Sequence, residues 1–414
     1  MSPSRAAAAL LLSVAAVAVT APTPAFAQAP AESCLTTKLA SPRPKASPLP
    51  THPAGAPVIG GDRLAAPGLV VPEDATPLPK NITARSWLVA DLDTGQVLGA
   101  CGAHEYGAPA SVQKLLLAAT VMGRLDPKQT VSVTAEDLQY EPGSSAVGLV
   151  LGGRYTIRTL WLGLLLNSGN DAANVLARLG GGTAGVRGTV ADMNKLARDI
   201  GAWDTRAVTP SGLDGRGQVT SAYDLALIAR ICFNRKDFLS YAQTSTTVIP
   251  AQKPRYGSFQ IQNDVPFTFE YKGALGGKTG FTDPARHTFV GVAERNGHRL
   301  VVTILGAERR PAQGWQQGAA LLDWGFETIG SDPIGTLVSS ADVSAINAPV
   351  AATPSATAAA AEPTPKPAPV ALPRTSGARW LPPWAVFTIV ALGIAVLTGI
   401  GAAQSRKSKR RRRR

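Results

Sequence analysis

The hydrophobic pattern of this chain begins with an apolar run, continues through a proline-rich stretch, and then alternates between strand and helix periodicities before a second apolar run. Residues 86–91 and 96–100 are short apolar segments on either side of a polar turn that contains Gly95, which predicts a β-hairpin. Later in the chain, three more apolar segments predict β-strands, at residues 277–279, 288–293 and 299–305.

Between these strands, apolar residues recur at helical spacing. The helices predicted in this way span residues 111–125, 156–167, 171–179, 190–200, 221–232 and 315–326. The order of the predicted elements, with a β-hairpin first, helices in the middle and strands at the end, favours a mainly antiparallel sheet with helices packed against it. This is an α+β fold. We therefore predict one globular domain over residues 81–330.

The amino-terminal end has the composition of a targeting segment followed by a linker. Residues 1–27 combine Arg5, an apolar run and the small-residue site Ala25-Phe26-Ala27, which are the features of a secretory signal peptide. Prolines recur through residues 28–80 with little periodic hydrophobicity, so this stretch is predicted to be an extended linker.

The carboxyl-terminal end combines a second linker, an apolar segment and a basic tail. Residues 331–383 are rich in alanine, proline and threonine, and residues 384–403 are twenty positions without a charge, enough to span a bilayer as a helix. The net charge is +13, and eight of the positive residues lie within residues 404–414. A basic cluster directly after an apolar run favours a topogenic role over nucleic-acid binding. We therefore expect a single-pass membrane protein with an extracytoplasmic domain and no nucleic-acid partner.

A second kind of anchoring stays open for this end of the chain. Leu372-Pro373-Arg374-Thr375-Ser376, followed by the apolar span and the basic tail, is similar to the sorting signal that sortases cleave. Ser376 stands where that signal normally has glycine. Wall attachment is therefore the alternative to a retained transmembrane helix.

The cysteines and histidines indicate no metal site. The exported chain would keep Cys34, Cys101 and Cys232, an odd number in a compartment where disulfides form. Cys232 lies in an apolar helical pattern and is predicted to be in the core, whereas a bridge between Cys34 and Cys101 is left open. Neither the cysteines nor the four histidines have metal-ligand spacing, so we expect no metal and no cofactor.

Three short motifs carry the candidate chemistry, and they occur in the order Ser111-Val112-Gln113-Lys114, Ser168-Gly169-Asn170 and Lys278-Thr279-Gly280. A serine hydroxyl has a high pKa and needs a nearby base to attack a carbonyl carbon at neutral pH. Ser111 and Lys114 stand at i and i+3 of a predicted helix, on one face and within reach of each other. Lysine is such a base only if its pKa is lowered, which burial and a neighbouring cation such as Lys278 both do.

Proton transfer and support involve further residues near the second and third motifs. We expect Ser168, in the loop between two predicted helices, to pass a proton to the leaving amine. Asn170 is expected to hold Lys114 or the amide of the substrate. The acidic residues Asp171 and Asp283 flank two motifs, and loop capping is the role expected for them.

The third motif suggests how a peptide would be bound. On a strand beside the serine, Lys278 and Thr279 are expected to bind a terminal carboxylate, and Gly280 lets the backbone approach closely. The backbone N–H groups of Ser111 and Phe281 are expected to form an oxyanion hole.

The chain resembles the low-molecular-weight penicillin-binding proteins, which are serine-type D-alanyl-D-alanine carboxypeptidases. The resemblance runs from about residue 81 to residue 326 and includes the segments Pro109-Ala110-Ser111, Ser168-Gly169-Asn170-Asp171-Ala172, Thr209-Pro210-Ser211-Gly212-Leu213, Thr220-Ser221-Ala222-Tyr223-Asp224-Leu225-Ala226 and Gly277-Lys278-Thr279-Gly280-Phe281-Thr282. It implies a penicillin-binding protein or serine β-lactamase fold and an acyl-enzyme on Ser111. It also implies peptidoglycan stem peptides ending in D-Ala-D-Ala as substrates, β-lactams as inhibitors and no cofactor.

Alternative functions are a class A β-lactamase and a catalytically silent protein that binds the cell wall. The lactamase needs a glutamate base, and Glu270 is the only glutamate between Asn170 and Lys278, without the sequence context of that base. Intact motifs argue against a silent protein. A Ser-His-Asp hydrolase is disfavoured because no Gly-x-Ser-x-Gly motif accompanies the candidate histidines, His104, His287 and His298.

Overall fold

A seven-stranded antiparallel sheet forms the middle layer of the structure, a computed structural model that describes residues 33–43 and 58–346. The strands are β1 (Leu69–Val70), β2 (Ser86–Asp91), β3 (Gln96–Cys101), β4 (Thr130–Ser132), β5 (Arg154–Thr156), β6 (Thr246–Ile249), β7 (Phe259–Gln262), β8 (Ala274–Thr282), β9 (Arg286–Arg295), β10 (His298–Ala307) and β11 (Gly335–Thr336). The order in the large sheet is β1-β3-β2-β10-β9-β8, and β11 also pairs with β3. β4 with β5 and β6 with β7 form small separate hairpins.

Helices cover both faces of this sheet, so the predicted α+β class is confirmed. They are α1 (Lys114–Val121), α2 (Ile157–Leu166), α3 (Asn170–Gly180), α4 (Gly185–Asp199), α5 (Ala222–Phe233), α6 (Lys236–Ala242), α7 (Phe267–Glu270), α8 (Gly314–Thr328) and α9 (Ser340–Ile346). α8 packs against β9 and β10 on one face, and α5 packs against β2 and β10 on the other.

Side chains of β2 alternate between the two hydrophobic cores. Every residue of this strand is buried. Trp87 points into the core that contains α8, where its ring lies 6.1 Å from the ring of Trp324 in an edge-on arrangement. Leu88 contributes to the larger core formed with the helices on the opposite face. A strand that alternates between two apolar layers needs hydrophobic residues on both faces, which residues 87–90 provide between the buried polar ends Ser86 and Asp91.

Polar side chains determine where two of the predicted helices begin. Thr156 caps α2, and its Oγ1 accepts a hydrogen bond from the backbone N–H of Thr159. Ser221 caps α5 in the same way through the N–H of Asp224. Each cap satisfies a backbone donor that has no partner within the first turn of the helix.

The helix predicted at residues 111–125 differs from the observed one at both ends. Its first turn, Ala110–Gln113, is a 3-10 turn, and the α-helix that follows ends at Val121. Ala110 enters this turn with φ at +48°, a left-handed conformation that is costly for a residue with a side chain. This backbone conformation displaces the start of the regular helix to Lys114.

The folded domain extends beyond the predicted boundary at residue 81. In the described part of the predicted linker 28–80, Cys34 forms a disulfide with Cys101, and β1 pairs with β3. These contacts join residues that are far apart in the sequence. The pairing of Cys34 with Cys101, which the sequence left open, is thus observed, whereas the proline-rich composition gave no indication of β1.

The folded domain also extends beyond the predicted carboxyl-terminal boundary at residue 330. β11 and α9 continue the domain to residue 346, and the carbonyl of Thr336 accepts a hydrogen bond from the hydroxyl of Tyr223 at 2.8 Å. Among the residues that the structure describes, no helix is both long and apolar enough to cross a membrane. The predicted signal peptide (residues 1–27), the rest of the second linker, the predicted transmembrane helix (residues 384–403) and the basic tail lie outside the described residues.

Candidate active site

The three sequence motifs meet in one cleft of about 420 Å³ beside strand β8. The 3-10 turn at Ala110–Gln113 packs directly against this strand. Residues from all three motifs line the cleft, namely Ser111, Ser168, Asn170, Thr279, Gly280 and Phe281. Lys114 and Lys278 are fully buried beside it. The structure therefore brings together every residue that the sequence analysis proposed for the site.

The amine of Lys114 is held by three oxygen atoms. Its Nζ lies 2.8 Å from Ser111 Oγ, 2.8 Å from Asn170 Oδ1 and 2.9 Å from the carbonyl oxygen of Ser211. The contact with Ser111 was predicted from helical spacing. It forms in a 3-10 turn, where residues three apart are eclipsed and equally able to meet. Asn170 therefore holds Lys114, which is one of the two roles proposed for it.

Burial and a second cation act on Lys114 together. Burial is the largest cause that lowers the pKa of this amine well below its usual value, and the positive charge of Lys278 lowers it further. Burial also lowers the pKa of Lys278. Asp264, at the rim of the cleft, opposes both shifts, and the pKa of its own carboxyl group is raised by desolvation against the pull of the two lysines. These environments favour an uncharged Lys114, the form that accepts a proton.

Ser168 occupies the loop between α2 and α3, as predicted. Its backbone is left-handed, with φ at +55°, a conformation that is rare for a residue with a side chain. Its buried hydroxyl makes no hydrogen bond within the described part of the chain. Strained backbone and an unpaired polar atom are both costly, and they are typical of a functional position.

Gly280 allows β8 to approach the nucleophile. A Cβ atom at this position would stand 2.7 Å from the backbone nitrogen of Ser111 and 2.4 Å from Thr288 Oγ1. Thr288 in turn donates a hydrogen bond from its hydroxyl to the carbonyl of Pro109 at 2.9 Å. The strand and the turn that carries Ser111 are therefore fixed against each other, and a side chain at position 280 would separate them.

Asp171 holds the segment that follows Gly143, Ser144 and Ser145, three residues that line the cleft. Its carboxylate accepts hydrogen bonds at 2.9 Å from the backbone N–H groups of Val147, Gly148 and Leu149. The loop capping expected for Asp171 is thus observed. Asp283, the other acidic residue beside a motif, has a side chain that is 90% exposed.

Two supporting glutamines were missed by the sequence analysis. Gln113 was assigned no chemical role, yet its buried amide donates to the carbonyl of Thr209 at 2.7 Å and to Gln218 Oε1 at 2.9 Å. Gln218 also accepts hydrogen bonds from the backbone N–H groups of Val208 and Thr209. These bonds hold the loop that presents Ser211 to Lys114. A single sequence gives no signal for the bonds of Gln113, because its partners Thr209 and Gln218 are 96 and 105 positions away.

Comparison with known proteins finds a matching family and solved structures with a similar fold. The profile of a family described as D-alanyl-D-alanine carboxypeptidase matches residues 73–309. The D-alanyl-D-alanine carboxypeptidase DacB2 of Mycobacterium tuberculosis is 41% identical over 273 residues, which are 65% of this chain and 90% of that protein.

Two crystal structures have a similar architecture. That of a D-alanyl-D-alanine carboxypeptidase from Mycobacterium tuberculosis has a TM-score of 0.60 at 40% identity and covers 64% of this chain and 99% of its own. The DD-transpeptidase of Streptomyces strain K15 has a TM-score of 0.57 at 24% identity, covering 61% of this chain and 99% of its own. At that identity, the second likeness concerns the fold alone.

Proposed function

The chain belongs to the D-alanyl-D-alanine carboxypeptidase family of serine peptidases, and we propose that it removes the terminal D-alanine from peptidoglycan stem peptides through an acyl-enzyme on Ser111. The observation that carries the proposal is the contact between the buried amine of Lys114 and the hydroxyl of Ser111 at 2.8 Å. This contact joins a nucleophile to a base whose environment favours its uncharged form.

The hydrogen bonds around Lys114 orient its lone pair. An uncharged amine has two hydrogens, and the two oxygens that can only accept them are Asn170 Oδ1 and the carbonyl of Ser211. The lone pair is then directed at the third neighbour, the hydroxyl of Ser111. Oγ of Ser111 attacks the carbonyl carbon of the penultimate D-alanine, and the proton of the Ser111 hydroxyl moves to Nζ of Lys114.

The next step expels the terminal D-alanine. The oxyanion of the tetrahedral intermediate is stabilised by the N–H groups of Ser111 and Phe281, which Gly280 allows to approach. The carbon–nitrogen bond breaks, and the departing amine receives the proton from Lys114 through the hydroxyl of Ser168. An ester on Ser111 remains. Thr279 lines the cleft and Lys278 is buried beside it, and both are proposed to bind the terminal carboxylate of the leaving residue.

Hydrolysis of the ester completes the cycle. A water molecule gives a proton to Lys114 and adds to the ester carbonyl, and Ser111 recovers its proton as the shortened peptide leaves. The same ester forms with a β-lactam, whose leaving amine stays tethered to the acyl group and obstructs water. We therefore expect β-lactams to be inhibitors that are released slowly.

The β-lactamase alternative lacks its base in the cleft. Glu270, the glutamate considered for that role, is exposed on α7 and is not among the residues that line the cleft. A catalytically silent protein is disfavoured by the intact contacts of Lys114.

The proposed location is outside the cytoplasm, with the chain attached to the membrane. Residues 1–27 are proposed to direct export and residues 384–403 to anchor the chain, with attachment by a sortase as the alternative. The disulfide between Cys34 and Cys101 supports an oxidising compartment.

Release of D-alanine tests the proposed activity. The full chain is incubated with a diacyl-Lys-D-Ala-D-Ala peptide, and free D-alanine is measured, with Ser111→Ala as the control. Release by the wild type alone supports the proposal, whereas equal release by Ser111→Ala assigns the reaction to another group. No release by a folded wild-type chain contradicts the carboxypeptidase activity.

A further inference from the structure

A buried cluster of ionisable side chains lies outside the cleft, where none of the proposed catalytic steps involves it. It consists of His104, Asp204 and Asp224. The Nδ1 atom of His104 is 2.7 Å from Asp204 Oδ2, and its Nε2 is 3.0 Å from the carbonyl oxygen of Ile59. Asp224 is completely buried, and Asp204 is 5% exposed. Such a cluster is costly to bury, so its contacts require an explanation.

The contacts indicate a hydrogen-bonded proton network rather than a metal site. Zinc holds nitrogen and oxygen ligands about 2.0–2.2 Å from itself, which places neighbouring ligands of a tetrahedron roughly 3.3 Å apart. The distance of 2.7 Å between His104 and Asp204 is that of a charge-assisted hydrogen bond. In addition, Nε2 of His104 faces the carbonyl of Ile59, which can only accept a hydrogen bond.

Both ring nitrogens of His104 take part in the network, Nδ1 with the carboxyl group of Asp204 and Nε2 with the carbonyl of Ile59. Burial, and then the charge of Asp204, raise the pKa of Asp224 well above its usual range. Tyr106 and Tyr223 are the other titratable groups at the cluster. Within the network, these surroundings favour the protonated form of the Asp224 carboxyl group.

The network lies at the bases of two segments that lead into the active site. The first, the serine arm, is residues 104–111 and ends at the nucleophile. The second, the loop arm, is residues 204–220 and carries Ser211 near its middle. Paired backbone bonds connect the arms: the N–H of Gly107 donates to the carbonyl of Thr220 at 2.8 Å, and the N–H of Thr220 donates to the carbonyl of Gly107 at 2.9 Å.

Thr205 extends the network across the base of the loop arm. Its Oγ1 donates to Asp224 Oδ2 at 2.7 Å and is 2.9 Å from Oγ1 of Thr220. The side chain of Asp224 thus binds Thr205 at the start of the loop arm, and Thr205 in turn contacts Thr220 at its end. His104 holds the start of the serine arm to Asp204, at the start of the loop arm.

The two arms meet again at their tips. Lys114, just past the serine arm, donates to the carbonyl of Ser211 at 2.9 Å. Gly212 is so close to the serine arm that a Cβ atom there would lie 1.8 Å from the carbonyl oxygen of Ala110. The acceptor that orients the amine of Lys114 therefore lies where the two arms are in contact.

We propose that His104, Asp204 and Asp224 are positioning residues for acylation: they fix the serine arm against the loop arm and thereby hold Lys114 in line with Ser111. This rests on the proposed function of the cleft. The network does not contact the substrate, so it affects the chemical step and leaves noncovalent binding largely unchanged. Misplacing a catalytic group by about 1 Å costs on the order of 10²-fold in rate.

The test separates the acylation rate constant from the noncovalent dissociation constant, with a fluorescent penicillin and stopped-flow detection on the full chain. His104→Gln is expected to lower the acylation rate constant by about 10- to 100-fold and to change the dissociation constant by less than about twofold. Thr205→Val removes the bridging hydroxyl and is expected to lower the rate constant by about tenfold, and Thr205→Ser is expected to restore it. His298→Gln is the matched control, because His298 pairs with Asp91 at 3.1 Å at the opposite end of β10 from Leu305, the residue of that strand that lies against Gly107 in the serine arm.

Each outcome bears on the proposal. Folded His104→Gln or Thr205→Val that acylates within about twofold of the wild type contradicts it, as does an equal loss in His298→Gln. If His104→Gln does not fold, the two variants of Thr205 decide, since the positioning role requires that serine rescue what valine loses. A wild-type chain that is not acylated at all contradicts the proposed function instead.

Discussion

The Cα atom of Gly280 lies so close to Ser111 that a Cβ atom added at position 280 would stand 2.7 Å from the backbone nitrogen of the serine. The third motif thus supplies more than a lysine for binding. Its glycine allows the edge strand of the sheet to lie against the start of the nucleophile's helix, where two backbone N–H groups can face one oxyanion.

Gly280→Ala is expected to disrupt this approach. The methyl group would meet Thr288 Oγ1 and Ser111 N, so that β8 moves away from the turn and an oxyanion donor is lost. We predict a fall of about 10²–10³-fold in the acylation rate constant, measured with a fluorescent penicillin. Gly257→Ala is the control, because nothing lies within 4 Å of a Cβ atom there. Equal acylation rate constants for Gly280→Ala and the wild type would show that acylation does not depend on the close approach of β8 to Ser111.

The acylation rate is expected to rise with pH. The midpoint of this rise should lie well below 10.5, the usual pKa of a lysine side chain. Burial and Lys278 lower the pKa of Lys114, so its uncharged form accumulates as the pH rises through that lowered value. Lys278 also has a lowered pKa, and the loss of its charge at higher pH weakens binding of the carboxylate. The pH profile of acylation measures the first effect, and the dissociation constant measures the second.

Lys114→Ala provides the comparison for that profile. Without its base, Ser111 is expected to react about 10²–10⁴-fold more slowly, and the rise with pH assigned to Lys114 disappears. A folded variant that turns over near the wild-type rate would exclude Lys114 as the base.

Asp171→Ala is expected to loosen the segment beside the cleft. Its carboxylate holds the N–H groups of Val147, Gly148 and Leu149, and their loss leaves buried donors unpaired. The free energy of unfolding should fall by about 2–4 kcal/mol, measured by urea denaturation. Asp283→Ala, at a residue with a 90% exposed side chain, should change it by less than about 0.5 kcal/mol. Similar values for the two variants would show that Asp171 is not a structural anchor.

Reduction of the disulfide is expected to destabilise the domain. The bridge between Cys34 and Cys101 closes a segment with a sequence separation of 67 residues and ties residues 33–43 to β3. Its loss should lower the free energy of unfolding by roughly 2–4 kcal/mol. Thermal unfolding of the wild type should shift downwards in reductant, whereas that of Cys34→Ser should not respond. A reductant-dependent shift of equal size in both would assign the effect to another cause.

Local patterns and motif chemistry were sufficient to predict the centre of this fold and its site. The β-hairpin at Ser86–Asp91 and Gln96–Cys101 was predicted from apolar periodicity and a turn. Ser111, Lys114, Ser168 and Asn170 were identified from motifs whose order resembles that of the penicillin-binding proteins, and the needs of a serine nucleophile explain why such groups would meet. All four predictions depend on short segments of sequence.

The missed features depend on contacts between distant parts of the chain. The strands β1 and β11, at the edges of the domain, pair with β3, and each is only two residues long. A segment of two residues is too short to show a periodic pattern of apolar positions. Asp264 acts on two lysines that it meets only in the folded cleft. His104 and Asp204 are 100 positions apart, so neither residue indicated the other. The linkers predicted from composition include residues that belong to the folded domain, because proline-rich segments can pack without a periodic pattern of apolar residues.

The most direct test of the account is the intact mass of the full chain after treatment with benzylpenicillin, with peptide mapping of the modified site. The account predicts one adduct of the mass of the drug, located on Ser111 and absent from Ser111→Ala. An adduct on another residue, an adduct that persists in Ser111→Ala, or a folded wild-type chain that remains unmodified would contradict it.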